Sequence, residues 1–443
     1  MNKAKSTELG LIPIDWAVER FDALFSVQQG KQVSKLNRAG DNQHPFLRTR
    51  NVFWGRLDIA ELDEMHFTKA DEQRLALQSG DLLICEGGDI GRTAIWQNDV
   101  VRCYYQNHLH RARFRDAVKA DPKFFLFWLW YAFEIGKVYF GRGNVTTIPN
   151  LSQSKLCELP IPVPPFMEQQ KIAVVLGLVQ RAIEQQERLL ALIAELKKTL
   201  LHQLFTCGLR NEPQKQTEIG LVPESWEVAP VGDYLTETQY GLSSKGAETG
   251  SYALLRMTNQ RHGRIAAEKL QYVELDIKDY KKFRVERQDI LFNRTNSLEL
   301  VGRTAIFELE GDYVFASYLI RLRTNAERLR PHFLNHYFNV DETQVRLKSI
   351  ATRAVSQSNI SATRLRGFLI PVLNVDEQDD IVKTITVIDK KLEFHRRKHA
   401  ALSDLFRTLL HELMTAKIRI NSFAVYHDAV KQFQNSTHFK DKS

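Results

Sequence analysis

The sequence predicts an α/β protein that is duplicated in tandem, with two α/β domains separated by two long heptad helices that pair as an antiparallel coiled coil. Three observations predict this architecture. Short segments recur in the same order about 210 residues further along the chain. A heptad run of apolar residues ends each copy, and alternating strand-like and helix-like segments precede that run.

The duplication begins near the first residue. Residues 7–13 recur as residues 217–223, and Trp16 recurs as Trp226. The later matches, in chain order, pair residues 47–48 with 255–256, Asn51 with Asn259, residues 55–56 with 263–264, 91–95 with 302–306, 150–152 with 359–361, 161–163 with 370–372, and 199–202 with 408–411. A set of matches that keeps its order and spacing indicates duplication and not chance.

Each copy is predicted to end in a long helix. Prolines in residues 160–165 and at Pro371 prevent each helix from beginning earlier in the chain. After them comes a seam of apolar residues spaced alternately by three and four positions. The seam is predicted to be the helix-pair interface: Ile172, Leu176, Val179, Ile183, Leu190, Ile193, Leu200 and Leu204, then Ile381, Ile385, Ile388, Leu392, Leu402, Phe406, Leu409 and Leu413. The alternative is that each helix packs separately on its own domain.

The predicted boundaries follow from these features. We expect α/β domains at residues 1–165 and 211–374, helices at 166–210 and 375–416, and a polar tail without assigned function at 417–443. Within the domains, residues 81–85, 92–96 and 290–292 have the pattern of strands. The aromatic residues 124–133 have the pattern of a buried helix.

Composition narrows the class of protein. The net charge of +8 and pI of about 9.1 favour a polyanionic partner. Apolar runs of about 18 residues are absent, so we expect no membrane span. Four widely spaced cysteines are typical of a reduced, cytoplasmic protein.

The fragments that mimic catalytic motifs each lack an essential group. Residues 163–166 resemble an amino-methyltransferase loop, but Val163 has no side-chain acceptor for the target amino group. Glu195 and Lys197 lie on the heptad helix, without the upstream aspartate of a nuclease site, and a P-loop is absent. His108 and His110 have no third metal ligand at a suitable spacing. The sequence therefore predicts neither a catalytic site nor a metal site.

The ordered set resembles the specificity subunits of type I restriction–modification systems. The likeness is carried by the openings at residues 10–16 and 220–226, the strand starts at 80–81 and 288–289, the segments at 150–152 and 359–361, and the joints at 161–169 and 370–378. In the second joint, residues 372–375 replace the two prolines of the first.

The resemblance implies a non-catalytic subunit with two target recognition domains, each reading one half of a bipartite, asymmetric DNA site. It implies no cofactor in this chain. The implied partners are double-stranded DNA, two modification subunits that use S-adenosylmethionine to methylate adenine, and restriction subunits that use ATP and Mg²⁺. The alternative is a two-domain adaptor that binds proteins and has no DNA specificity.

Arginine, asparagine and glutamine side chains are the usual readers of base edges. The candidates in predicted loops and strand ends are, in the first copy, Arg48, Arg50, Asn51, Trp54, Arg56, Gln106, Asn107, His108, Arg142 and Asn144, and in the second copy, Arg256, Asn259, Gln260, Arg261, His262, Arg264, Arg294, Asn296, Ser317, Tyr318, Arg353, Ser356 and Gln357. We expect candidates that are identical in both copies to support structure or phosphates, and candidates that differ to touch bases.

Overall fold

The computed structural model describes residues 4–116, 120–140, 150–353 and 357–420, with Arg353 described by its backbone alone. The chain divides into two compact units. Unit 1 contains residues 1–187 and 397–443, and unit 2 contains residues 188–396. Each unit therefore takes one complete α/β region and parts of both long helices.

The first copy contains two sets of elements. Its strands are β1 (Ala4–Thr7), β2 (Gly10–Pro13), β3 (Ala17–Arg20), β4 (Phe25–Gln29), β5 (Gln43–Leu47), β6 (Val52–Phe53), β7 (Arg56–Leu57), β8 (Asp63–His66), β9 (Leu82–Cys85), β10 (Thr93–Ile95), β11 (Tyr104–Tyr105), β12 (Leu109–Phe114) and β13 (Pro160–Val163). Its helices are α1 (Phe21–Leu24), α2 (Lys35–Arg38), α3 (Lys69–Leu75), α4 (Pro122–Trp130), α5 (Gln153–Glu158) and α6 (Phe166–Thr206).

The second copy repeats this order with local differences. Its strands are β14 (Gln214–Thr217), β15 (Gly220–Pro223), β16 (Glu227–Pro230), β17 (Leu235–Tyr240), β18 (Tyr252–Leu255), β19 (Gln260–Arg261), β20 (Arg264–Ile265), β21 (Gln271–Val273), β22 (Ile290–Asn293), β23 (Thr295–Asn296), β24 (Thr304–Ile306), β25 (Tyr313–Phe315), β26 (Leu319–Thr324), β27 (Thr352–Arg353), β28 (Ser358–Asn359) and β29 (Leu369–Val372). Its helices are α7 (Ile277–Phe283), α8 (Pro331–Phe338), α9 (Asp341–Ser349), α10 (Ala362–Arg366) and α11 (Val375–Met414).

The central sheets correspond between the copies. In unit 1 the strand order is β10-β9-β12-β4, all antiparallel. In unit 2 the order β24-β22-β26-β17 is the same, and β20 and β19 extend the sheet beyond β24. The predicted strands at residues 81–85, 92–96 and 290–292 are confirmed as β9, β10 and β22.

The predicted aromatic helix is confirmed as α4, which continues as one π-helical turn, Tyr131–Ile135. Asp121 caps its start, because the carboxylate accepts hydrogen bonds from the backbone of Lys123 and Phe124. Almost every side chain of α4 from Phe124 onwards is buried. The helix is therefore the centre of the unit 1 core.

The proline-bearing joints are strands and not simple helix breakers. In unit 1, β13 pairs with β3, and in unit 2, β29 pairs with β16. The second joint thus has the same pairing as the first, although it lacks the two adjacent prolines. Each joint ties the start of a long helix to the opening segment of its own copy.

The long helices begin in the same way. The buried amide of Gln169 accepts a hydrogen bond from the Asp121 backbone and donates one to Pro164. The amide of Gln378 accepts from the Arg330 backbone and donates to Leu373. This bridge explains the recurring Glu-Gln pair, whose glutamine occupies a buried position in both copies.

Helices α6 and α11 run antiparallel within each unit. In unit 1, Glu187 on α6 pairs with His399 on α11 at 3.3 Å. In unit 2, Lys197 further along α6 pairs with Asp389, earlier on α11, at 2.5 Å. None of the seam residues is exposed. At 1.5 Å per residue each helix is roughly 60 Å long.

The helix ends also complete the domain cores. In unit 1, Phe406, Leu410 and Leu413 of α11 are buried together with residues of α4 and with Ile172 of α6. In unit 2, a single core contains Leu204 and Phe205 of α6 together with Ile381 and Ile385 of α11, packed against α8. The predicted pairing of the helices is confirmed, and the helix ends also pack into the domain cores, including the core of the other copy.

A charged cluster fixes the chain after α11. Arg419 donates to both Asp15 and Glu168, at distances from 2.5 to 3.0 Å, and Glu168 also accepts from the Trp16 indole at 3.1 Å. These hydrogen bonds raise the pKa of Arg419 further above its usual range and lower that of Asp15. The start of the polar tail, for which the sequence predicts no function, is thus part of unit 1.

We predict that Arg419→Ala destabilises unit 1 by about 2 kcal/mol, because it leaves the largely buried Glu168 without its cation. The matched control is Arg210→Ala, at the equivalent position of the first copy, where the arginine is exposed. Urea unfolding followed by hydrogen exchange in residues 406–420 measures the effect. Equal stability of the two variants would contradict the role of the cluster.

Candidate nucleic-acid interface

Polar side chains gather at one end of the central sheet in each unit. The two sets occupy equivalent positions, and we call them the first rim and the second rim. The first rim is Gln29, Glu86, Asn107, His108 and Asn150, and the second rim is Tyr240, Arg294, Ser317, Tyr318 and Asn359.

The backbone of the first rim is held by two hydrogen bonds at Glu86, the residue that follows β9. The Glu86 amide donates to the carbonyl of His108 at 3.0 Å. The Glu86 carbonyl accepts from the amide of Leu151 at 2.7 Å. Three separate chain segments are therefore joined at this one residue.

The second rim has the same backbone frame, centred on Arg294 after β22. The Arg294 amide donates to the carbonyl of Tyr318 at 3.0 Å, and its carbonyl accepts from Ile360 at 2.9 Å. Duplication has preserved the frame while the side chains at its centre have become opposite in charge.

A glycine makes each rim compact. A Cβ atom on Gly30 would collide with the carbonyl of Tyr105, and one on Gly241 would collide with the carbonyl of Phe315. Only glycine allows the strand end that carries Gln29 or Tyr240 to approach so closely.

The side chains of the first rim surround a carboxylate. The Glu86 Oε2 atom accepts from Gln29 Nε2 at 3.3 Å and lies 3.4 Å from His108 Nδ1. The Glu86 side chain is 12% exposed and that of His108 is 60% exposed. Beneath them, burial lowers the pKa of His110, whose Nε2 lies 2.8 Å from the carbonyl oxygen of Leu151.

The side chains of the second rim surround a guanidinium. Arg294 stacks over the Tyr240 ring at 4.6 Å and reaches the Ser317 carbonyl at 3.5 Å and the Asn359 amide oxygen at 3.3 Å. Its Nε is buried without a hydrogen-bond partner. Tyr240 and Tyr318 are exposed beside it. This arrangement presents a planar donor with aromatic support.

The β6–β7 hairpin of unit 1 lies against the helices and not on the rim. Trp54 stacks on Trp130 at 5.5 Å and its indole donates to Glu134. Together with Phe53, Arg56 and residues of α6 and α11, it lines a cleft of about 710 Å³. Trp54 and Arg56, which the sequence predicts to contact DNA, therefore line a cleft beside helices α6 and α11.

The equivalent β19–β20 hairpin of unit 2 is more exposed. Arg261 and His262 are both exposed, and His262 has a positive φ of 50°. Partial desolvation of the His262 ring, together with the nearby cations Arg396 and Lys197, lowers the pKa of this exposed histidine. Arg264 is 58% exposed and pairs with Glu308 at 3.5 Å.

The shared asparagines have internal partners. Asn51 is buried, accepts from the Arg48 amide at 2.9 Å and donates to the carbonyls of Asp58 and Glu61. Asn259 repeats this pattern with Arg256, Ala266 and Glu268. These amides hold a loop in place, so their hydrogen bonds are not available to bases.

The shared arginines of β12 and β26 are likewise internal. Arg113 forms two 2.7 Å hydrogen bonds to the buried Asp81, which raise its pKa. Arg323 pairs with the equivalent Asp289 at 2.8 Å. The Gly-Asp and Gln-Asp strand starts therefore place a buried carboxylate opposite an arginine in each sheet.

Other sequence candidates lie in scattered positions. Arg48 and Arg50 both pair with Asp63 at 2.8 Å. Gln106 is buried, and the Asn107 carbonyl accepts from Gln29. In unit 2, the Arg256 and Gln260 side chains donate to the backbone carbonyls of Lys269 and Leu291, respectively, and Asn296 contacts Met257.

Gln357 is exposed. Arg142, Asn144 and Ser356 lie outside the described residues, as does the side chain of Arg353. Over the part of the chain that the structure describes, no three acidic, histidine or cysteine side chains converge on a metal position. No described helix is long and apolar enough to cross a membrane.

The sequence alone missed five members of the rims: Gln29, Glu86, Asn150, Tyr240 and Asn359. A carboxylate is not an obvious partner for DNA, so its residue type alone does not identify Glu86. Its alignment with Arg294, one residue after equivalent buried strands, is the signal that identifies it.

Comparison with known proteins gives a consistent picture. The type I restriction modification DNA specificity domain family matches residues 13–194 and 223–403, once in each copy. A type I restriction enzyme specificity subunit of Methanocaldococcus jannaschii, MjaX, is 32% identical over 46% of this chain and 49% of its own length.

A second specificity subunit from that organism, MjaVIII, is 21% identical over 93% of this chain and 95% of its own length. Among solved structures, the S subunit of a type I restriction–modification system from M. genitalium covers 90% of this chain and 96% of its own, with 17% identity and a TM-score of 0.57. The fold is therefore shared along nearly the whole chain.

Proposed function

This chain belongs to the type I restriction–modification DNA specificity family, and we propose that it reads a bipartite, asymmetric DNA site with one half-site per unit. The first and second rims are the proposed reading surfaces. We take residues 1–165 and 211–374 as the two reading domains, whose cores the helix ends complete.

The observation that carries this proposal is the shared backbone frame with unlike side chains. A structural role for the rims would favour the same residues in both copies, as it does for Asn51 and Asn259. Instead the equivalent positions carry Gln29 and Tyr240, Glu86 and Arg294, and His108 and Tyr318. Two surfaces of equal shape and different hydrogen-bonding groups suit two different base sequences.

The chemistry of methylation and cleavage belongs to partners in this proposal. Two modification subunits supply S-adenosylmethionine and methylate adenine, and restriction subunits supply ATP hydrolysis and Mg²⁺-dependent cleavage. The complex acts in the cytoplasm. Recognition by this chain selects the site, and it provides no group that takes part in bond making.

A protein-binding adaptor is the competing function, and DNA binding separates the two. We predict that the purified chain shifts duplex DNA and that its affinity falls about 10³-fold between 50 and 200 mM salt, because lysines and arginines release counterions from phosphates. Electrophoretic shift assays on a pool of random duplexes measure this. Binding that is absent, or independent of salt, would favour the adaptor.

The duplication yields a prediction for a fragment that contains only the first copy. Two such fragments are expected to pair as a two-fold dimer through the α6 seam, which would read a palindrome of the first half-site. The fragment should extend to residue 212, because Arg210 then takes the place of Arg419 in the charged cluster.

One residue opposes this pairing. Phe406 packs 4.8 Å from Trp130 and 6.0 Å from Phe127 in unit 1, and the equivalent residue of the first copy is Lys197. Lys197 pairs with Asp389 in the full chain, but the fragment does not contain Asp389.

We predict that Lys197→Phe tightens the fragment dimer at least ~10-fold, since it removes an ammonium that is left without its Asp389 partner in the dimer interface. Analytical ultracentrifugation measures the dimer, and Lys198→Phe, at an exposed neighbouring position, is the control. If neither variant changes the association, the proposed pairing is wrong.

A further inference from the structure

The residue that directly follows β9 in unit 1, Glu86, is acidic, whereas the equivalent residue after β22 in unit 2, Arg294, is basic. Glu86 and Arg294 share the backbone hydrogen bonds described above, so their Cα atoms have equivalent places in the two frames. The backbone hydrogen bonds around these two residues are the same in both units, while the two side chains carry opposite charges. A difference confined to side chains indicates a difference in what each rim recognises.

The guanidinium of Arg294 is held in an orientation that matches the hydrogen-bonding pattern of one kind of base. Stacking on Tyr240 and contacts to Ser317 and Asn359 fix the plane of the fork. Guanine alone offers two acceptors, O6 and N7, side by side in the major groove, and arginine reads them with two parallel hydrogen bonds. A fixed planar donor at an exposed rim matches that pattern.

The carboxylate of Glu86 requires a different base. Near DNA phosphates a carboxylate is repelled, so its presence on a reading surface is unfavourable unless it accepts a hydrogen bond. Cytosine N4 and adenine N6 are the amino donors on the major-groove edge. Gln29 and His108 hold one carboxylate oxygen in place, as a reading group requires.

We propose that these two positions each set one letter of the recognition sequence, with Arg294 selecting guanine in one half-site and Glu86 selecting an amino-bearing base, cytosine or adenine, in the other. This inference rests on the proposed function, which assigns the rims to DNA.

The test is the methylation motif of the complex assembled from the full-length chain and its modification subunits, measured on a library in which both half-sites are randomised. Arg294→Gln is expected to lower the preference for guanine at one position by about 10- to 100-fold, or to change it to adenine, and to leave the other half-site unchanged. Glu86→Gln is expected to lower discrimination at one position of the opposite half-site by a similar factor.

Arg287→Gln is the matched control for Arg294→Gln, because it removes the same charge from an exposed arginine that precedes β22, whereas Arg294 follows that strand. Its motif should equal that of the wild type. An unchanged motif in both rim variants, a wild-type motif without guanine in the half-site of unit 2, or a loss of methylation that is equal on every sequence would overturn the inference.

A second measurement uses only the wild-type chain. Replacing the assigned guanine by 7-deazaguanine removes the N7 acceptor, and we expect methylation to slow about 10-fold, in line with the loss of one hydrogen bond to a charged group. An unchanged rate would overturn the assignment of Arg294. If the wild-type complex methylates no bipartite motif at all, the proposed function itself fails, and that outcome differs from every result above.

Discussion

The packing of helix ends into the domain cores is the constraint on which the rest of the molecule depends. Phe406, Leu410 and Leu413, which belong to the second copy, are buried with the aromatic helix of the first copy. Leu204 and Phe205, which belong to the first copy, are buried in the core of unit 2. Burial of a large apolar side chain contributes roughly 1.5–3 kcal/mol. Neither α/β region is therefore complete without residues from the other copy, and the helices are structural parts of both regions.

This constraint explains which features of the two copies agree and which differ. Among the features that agree, the paired joints and the buried Gln169 and Gln378 hold the domain to the helices. The arginine–aspartate pairs, which also agree, connect strands within the central sheets. The features that differ include the rims, where the same backbone frame presents unlike side chains. In unit 1 Arg419 pairs with Asp15 and Glu168, whereas the equivalent Arg210 after α6 is exposed.

Much of the fold was predictable from the sequence, because repeats and heptads are patterns of order and spacing. The duplication, the two long helices and the strands around Leu82 and Ile290 are confirmed. The candidate site was less predictable. Asn51 and Trp54 have residue types that read DNA, yet one bonds the backbone of its own loop and the other stacks on Trp130. Glu86 and Tyr240 come together through sheet pairing between distant segments, which a linear pattern does not reveal.

Hydrogen exchange of the full-length chain with Phe406→Asp tests the central claim most directly. The control is Leu405→Asp on the exposed face of the same helix, where the leucine is 46% exposed. We predict that Phe406→Asp removes protection from Pro122–Trp130 in the first copy, because a carboxylate in that core lacks a partner, while Ile290–Asn293 in the second copy stays protected. Loss of protection in the second copy alone, or equal behaviour of the two variants, would contradict the claim that each core is completed by the other copy's helix.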